Sequence, residues 1–174
     1  MTEQDLEAEN VQILTNLWRG LCSTKSDPVR IGLSPESARM LVKLDERQVV
    51  RAAQVHVPLF DFACTPETLR ESFNCPPATE EFRDDDGNLF LSNRWRASEG
   101  PFVSAQMLYN MSRGMHAVMN SATYLKIVAA ANSGICLIKL AVRPQYLFHA
   151  GTRFDLQTKC RTSLAICNTT RAMY

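Results

Sequence analysis

Helix-start signals recur at short intervals in the first half of this chain, and they limit its architecture more than any other feature. Ser34-Pro35-Glu36 places a capping hydroxyl, a proline at the first helical position and an acid in the first turn. Asp45 followed three residues later by Gln48 reads as a capping box. Thr65-Pro66-Glu67 repeats the first pattern. Helices that start this often are short and must pack on one another. The spacing predicts helices over Glu3–Cys22, Pro35 to about Leu44, Asp45–Gln54, and Thr65 to about Phe73. In the first, Leu14, Leu17, Trp18 and Leu21 form one apolar stripe. Val55–Phe62 alternates and is β-branched and aromatic, so it predicts a strand, held to an edge or bulge by Pro58.

The back half is less sharply punctuated. Leu89–Trp95 reads as a strand or extended arm. A long helix is expected from Ser98 or Pro101, its buried side marked by Met107, Leu108, Met111, Met115, Val118 and Met119, with Gly114 a weak point. The methionines suit either a core or an adaptable helix interface. Ser121 is expected to cap a helix over Thr123–Ala131, and Asn132-Ser133-Gly134 to form a tight turn. Ile135–Val142 reads as a short apolar helix and Tyr146–His149 as a short strand. The fold class expected is mainly α with short β segments, containing helix-turn-helix-like units. An ungapped offset of 88 aligns Ala53 with Ala141, Leu59 with Leu147 and Phe60 with Phe148, which raises an internal duplication as a further expectation.

Charge divides the chain. Residues 1–88 hold 16 Asp or Glu against 9 Lys or Arg, a balance of −7; residues 89–174 hold 2 acids and 10 bases, a balance of +8. The Pro- and Gly-bearing acidic stretch 76–88 lies at the change of sign. The expected organisation is therefore an assembly lobe at 1–75, a linker at 76–88 and a basic lobe at 89–174. Such asymmetry points to a polyanion partner for the basic half, and the alternative is mutual neutralisation within one fold. Apolar and charged shares of 45% and 21% exclude a wholly disordered chain.

Other classes drop away. No apolar run approaches the roughly 20 residues of a membrane span. The polar, acidic N-terminus lacks the features of a signal peptide, so a cytoplasmic, nucleoid-associated location is expected. No phosphate loop, Gly-x-Ser-x-Gly or His-Glu-x-x-His is present, and His56, His116 and His149 are scattered without an orienting carboxylate at helical spacing. An enzyme is not expected. Asp84–Asp86 reads as a solvated linker in preference to a cation site.

Two surfaces are candidates for DNA. The Asp45–Gln54 helix exposes Arg47, Gln48 and Arg51, residue types that read bases. The back half offers Arg113, Lys126, Lys139, Arg143, Arg153, Lys159, Arg161 and Arg171 to phosphates. Electrostatics favours the second, leaving the front half for assembly.

Arg30–Phe62, with its Arg-x-Gly-Leu-Ser opening, two linked helices and closing apolar-Phe segment, resembles the FlhD flagellar transcriptional activators. Ser133-Gly134 with Ile135-Cys136-Leu137, then Tyr146–Ala150, then Cys167 with Arg171-Ala172 is similar in order to the FlhC partner. The resemblance implies a DNA-binding activator subunit in a homo- or hetero-oligomer. Its implied partners are double-stranded promoter DNA, a co-encoded FlhD- or FlhC-like protein and RNA polymerase, and its implied targets conjugative-transfer or flagellar genes. The alternative is an interaction adaptor or anti-activator of the same fold without DNA contact. FlhC holds zinc with two close cysteine pairs. Here Cys136, Cys160 and Cys167 are widely spaced, and even with His149 as a fourth ligand they read as ordinary thiols, so no cofactor is expected.

Overall fold

The computed structural model describes residues 3–23, 33, 35–76 and 84–153. Among these the chain is mainly helical. Its helices are α1 (Glu3–Cys22), α2 (Pro35–Leu41), α3 (Glu46–Ala53), α4 (Pro66–Ser72), α5 (Asp85–Ser98), α6 (Phe102–Tyr109), α7 (Arg113–Asn120), α8 (Tyr124–Ala131) and α9 (Pro144–Thr152). Two three-residue strands, β1 (Phe60–Phe62) and β2 (Ile138–Leu140), pair with each other. Flanking bonds from Ala63 N to Leu137 O and from Ala141 N to Leu59 O, at 2.9 and 2.8 Å, fix an antiparallel register with Asp61 opposite Lys139.

The chain gathers into two compact units. One is continuous, Phe62–Ile138. The other is split between Thr2–Asp61 and Lys139–Tyr174. The chain passes from one to the other within β1 and back within β2. This grouping does not follow the division at 76–88: residues 62–75 pack with 89–138, while Lys139, Arg143 and Arg153 fold with the acid-rich stretch that contains α1.

In the split unit, α1 and α9 both pack on α3, and α9 also packs on α2. α3 forms where it does because Asp45 closes a full capping box: its carboxylate accepts from Gln48 N at 2.8 Å while Gln48 Oε1 accepts from Asp45 N at 2.9 Å. Val49, Ala52 and Ala53 supply its buried face. Ala53 and Gly151 show why small residues are needed. A Cβ on Gly151 would stand 2.7 Å from the Gln48 carbonyl oxygen, so only glycine lets α9 lie this close to α3. Trp18 donates its indole N–H to Leu44 O at 3.0 Å, tying the end of the α2–α3 turn to α1.

The segment between α3 and β1 is held by one side chain. Asn10 of α1 is fully buried. Its Nδ2 donates to Val55 O at 3.1 Å and to Val57 O at 2.9 Å, and its Oδ1 accepts from Leu59 N at 3.1 Å. The expected strand over Val55–Phe62 therefore shortens to Phe60–Phe62. Backbone groups at 55, 57 and 59 bond to an amide side chain instead of a neighbouring strand.

In the continuous unit, α5 packs on α6, α7 and α8, and α4 on α7 and α8. The expected arm at Leu89–Trp95 is the middle of α5. Asp84, read as linker, is the N-cap of that helix and accepts from Gly87 N at 2.7 Å. A Cβ on Gly87 would fall 2.5 Å from the Asp84 carboxylate, so glycine makes this cap possible. The expected long methionine helix is two helices. Asn110 takes a left-handed conformation (φ 52°, ψ 34°), ends α6, and turns the chain before Ser112 caps α7. Met111, Met115 and Met119 are core residues, whereas Met107 is 80% exposed.

Two further expectations are corrected. Ile135–Val142 is not a helix, because it gives its central backbone to β2. Tyr146–His149 is not a strand; Pro144 occupies the first turn of α9, a position that suits its missing N–H. These corrections also remove the internal duplication. The offset of 88 would pair helix α3 with the strand β2 and strand β1 with the helix α9.

Candidate nucleic-acid interface

α2, the turn Val42–Asp45 and α3 form two short helices joined by a tight connection, the layout of a helix-turn-helix. Bases recur there at a spacing of four in the sequence: Arg39 on α2, Lys43 in the turn, and Arg47 and Arg51 on α3. Arg39, Lys43 and Arg47 are exposed and Arg51 is half-buried. The nearby acids are already engaged. Asp45 spends its carboxylate on the cap of α3, and Glu46 pairs with Arg19.

The expected phosphate-binding residues are dispersed. Arg113 and Lys126 are exposed in the continuous unit, with the Arg113 guanidinium 5.4 Å from the centre of the Phe102 ring. Lys139 is half-buried in β2, opposite Asp61. Arg143 and Arg153 are exposed at the two ends of α9. Lys159, Arg161 and Arg171 lie outside the described residues. Of the five described, Arg153 is the C-cap of α9, two residues beyond Gly151. The sequence signal that marks the helix pair is the four-residue spacing of bases; the summed charge of each half hides it.

Cation sites are a separate matter. Among the described residues no group of three or more His, Cys, Asp or Glu side chains comes together to hold a metal ion. Cys136 and His149 belong to different units, and Cys160 and Cys167 lie outside the described residues. Desolvation of the sulfur pushes the Cys136 thiol up although the residue as a whole is exposed, and its S–H points to Ile138 O at 3.4 Å. A raised thiol is a poor metal ligand near neutral pH.

Among the described residues, the continuous unit fully buries one charged side chain. Arg94 is completely inaccessible to water. Its guanidinium carbon lies 3.4 Å from the centre of the Phe90 ring and 4.7 Å from that of Tyr109, and Nη1 donates to Phe90 O at 3.0 Å. This cation stacks in the core and offers nothing to a polyanion. The same unit leaves apolar side chains on its surface. Val103 and Met107 lie one turn apart on α6, and Leu125 projects from α8, with 61%, 80% and 77% of their areas exposed. No described helix is long and apolar enough to cross a membrane.

Compared with known proteins, the chain matches no family model, no curated protein and no solved structure.

Proposed function

We propose that this protein binds double-stranded DNA through the α2–turn–α3 face and acts as a regulatory subunit, an activator of transcription working with a second protein. The observation that carries the reading is the set of three exposed bases, Arg39, Lys43 and Arg47, on two linked helices and the turn between them. Exposed bases on such a helix pair suit the phosphates flanking a groove. The segment similar to the FlhD activators, Arg30–Phe62, contains this helix pair and supports the same reading. A promoter as target, a co-encoded partner and contact with polymerase rest on that resemblance.

The test is fluorescence anisotropy of a labelled duplex across a salt series. Affinity should fall steeply with salt, and Arg39→Ala with Lys43→Ala should flatten the slope of log K against log salt by about 2. A chain that binds no duplex at low salt, alone or with its partner, refutes the reading.

A second reading, an interaction adaptor without DNA contact, is favoured by the exposed Val103 and Met107, one turn apart on α6 of the continuous unit, since adjacent surface apolar residues mark protein contacts. It predicts that Met107→Glu abolishes partner capture while the Arg39 and Lys43 substitutions change nothing.

A further inference from the structure

We propose that α3 reads base edges in the major groove of B-form DNA and selects G·C pairs through Arg47, with Arg51 and Gln54 on the same face. The inference rests on the DNA-binding reading above and goes beyond phosphate contact to sequence choice. Residues 47, 51 and 54 follow the i, i+4, i+7 pattern and share one side of the helix. Val49, Ala52 and Ala53, buried against the unit's interior, occupy the opposite side. Arg47 and Gln54 are exposed, and Arg51 is half-buried between them.

The residue types decide what this side would recognise. An arginine fork matches the N7 and O6 acceptors of guanine, and a glutamine amide matches the N7 and amino group of adenine. A lysine row would serve phosphates as well but reads bases less specifically, and here lysine stands at 43 in the turn while arginine stands at 47 and 51 on the helix. The helix is also held firmly enough to read. Its start is fixed by the capping box, its end by the Gln54 N–H bonded to Val50 O, and its back by α1 and α9. A reader must keep its side chains within fractions of an ångström of the base edges.

Single strands and RNA fit this face poorly. α3 carries no aromatic side chain on which an unpaired base would stack. The major groove of A-form RNA is too deep and narrow for a helix to enter.

Selection of the full chain on a pool of short DNA duplexes with a randomised core would test the proposal. Enrichment of sequences with at least one invariant G·C pair is expected. On the selected duplex Arg47→Lys, which keeps the charge but loses the fork, should weaken binding about tenfold, and much less on a scrambled duplex. Gln54→Ala should relax the choice at one A·T position. Lys43→Ala should weaken both duplexes alike. Circular dichroism of each variant should match that of the parent, because Lys43, Arg47 and Gln54 are exposed. Duplex binding without enrichment overturns the inference and leaves the DNA-binding reading standing. Equal loss on selected and scrambled duplexes for Arg47→Lys also overturns it, as does equal affinity for the same sequence as a single strand or as RNA. A chain that retains no duplex at all overturns both.

Discussion

Asn10 offers the sharpest test of how the split unit is held. Replacing it with alanine removes an amide that satisfies three backbone groups, Val55 O, Val57 O and Leu59 N. Val55 and Leu59 are 3% and 0% exposed, so water does not reach their groups without local opening. Each buried group left unsatisfied costs about 1–3 kcal/mol. Val57 is half-buried, and water would recover most of its share. The expected loss is therefore about 3–5 kcal/mol, a large part of the roughly 5–15 kcal/mol that holds a typical domain folded. Trp18 lies in the split unit and Trp95 in the continuous one. In a Trp95→Phe background, tryptophan fluorescence during urea unfolding reports on the split unit alone. The Asn10→Ala midpoint should fall sharply there. Asn10→Asp should be as damaging at neutral pH, where a carboxylate would face two carbonyl oxygens. It should recover partly in acid, where the protonated group again donates one bond. A loss below about 1 kcal/mol for Asn10→Ala would show that the 54–59 segment is held by something else.

Three further outcomes are expected. Gly151→Ala should lower the thermal midpoint of the split unit and weaken DNA binding together, because the methyl meets the Gln48 carbonyl at 2.7 Å and the α3–α9 spacing must open; about 1–3 kcal/mol is expected by calorimetry, and an unchanged midpoint would contradict the packing described. Arg94→Ala should cost about 3–5 kcal/mol in the continuous unit, read by Trp95 fluorescence, and Arg94→Met distinctly less, since methionine refills the space against Phe90 and Tyr109. Burial raises the Asp84 carboxyl above its ordinary range, in spite of the bond from Gly87 N that lowers it. A raised acid binds its proton more tightly when folded, so its contribution favours the fold below about pH 4 and is lost as pH rises through the raised value. Asp84→Asn, which still accepts from Gly87 N, should therefore gain on the parent at neutral pH and lose that advantage in acid; a pH-independent difference in urea midpoint would refute this.

What the sequence made legible was local chemistry. The Asp45–Gln48 box and the Thr65 cap, whose hydroxyl accepts from Thr68 N at 3.3 Å, stand where capping residues predict them, and α1 runs from Glu3 to Cys22. Each depends on atoms a few residues apart. β2 was not legible because its partner, β1, lies nearly eighty residues earlier, and Ile135–Val142 carries apolar residues that suit helix and strand equally. α5 was missed for a different reason. Three successive aspartates look like a linker until one of them caps a helix, and the capping geometry needs Gly87, which itself reads as a turn residue. The helix pair itself was visible from its caps. A summed charge for each half of the chain ignores where the halves fold, and Lys139, Arg143 and Arg153 fold with the acidic N-terminal stretch. Pairing within that unit, as between Arg19 and Glu46, makes net charge a poor guide to which surface is positive.

The split arrangement has a consequence for the order of events during synthesis. α3 leaves the ribosome early, but α9, which covers it, follows about ninety residues later. At roughly 5–20 residues per second this is a delay of several seconds to some twenty seconds. During that time Val49, Ala52 and Ala53 lack the cover of α9, while the continuous unit already has all its residues before α9 appears. A nascent chain whose Ile138 has just cleared the exit tunnel would carry a complete Phe62–Ile138 unit while α9 is still inside the ribosome. The α3–α9 packing should form only after Thr152 has cleared the tunnel.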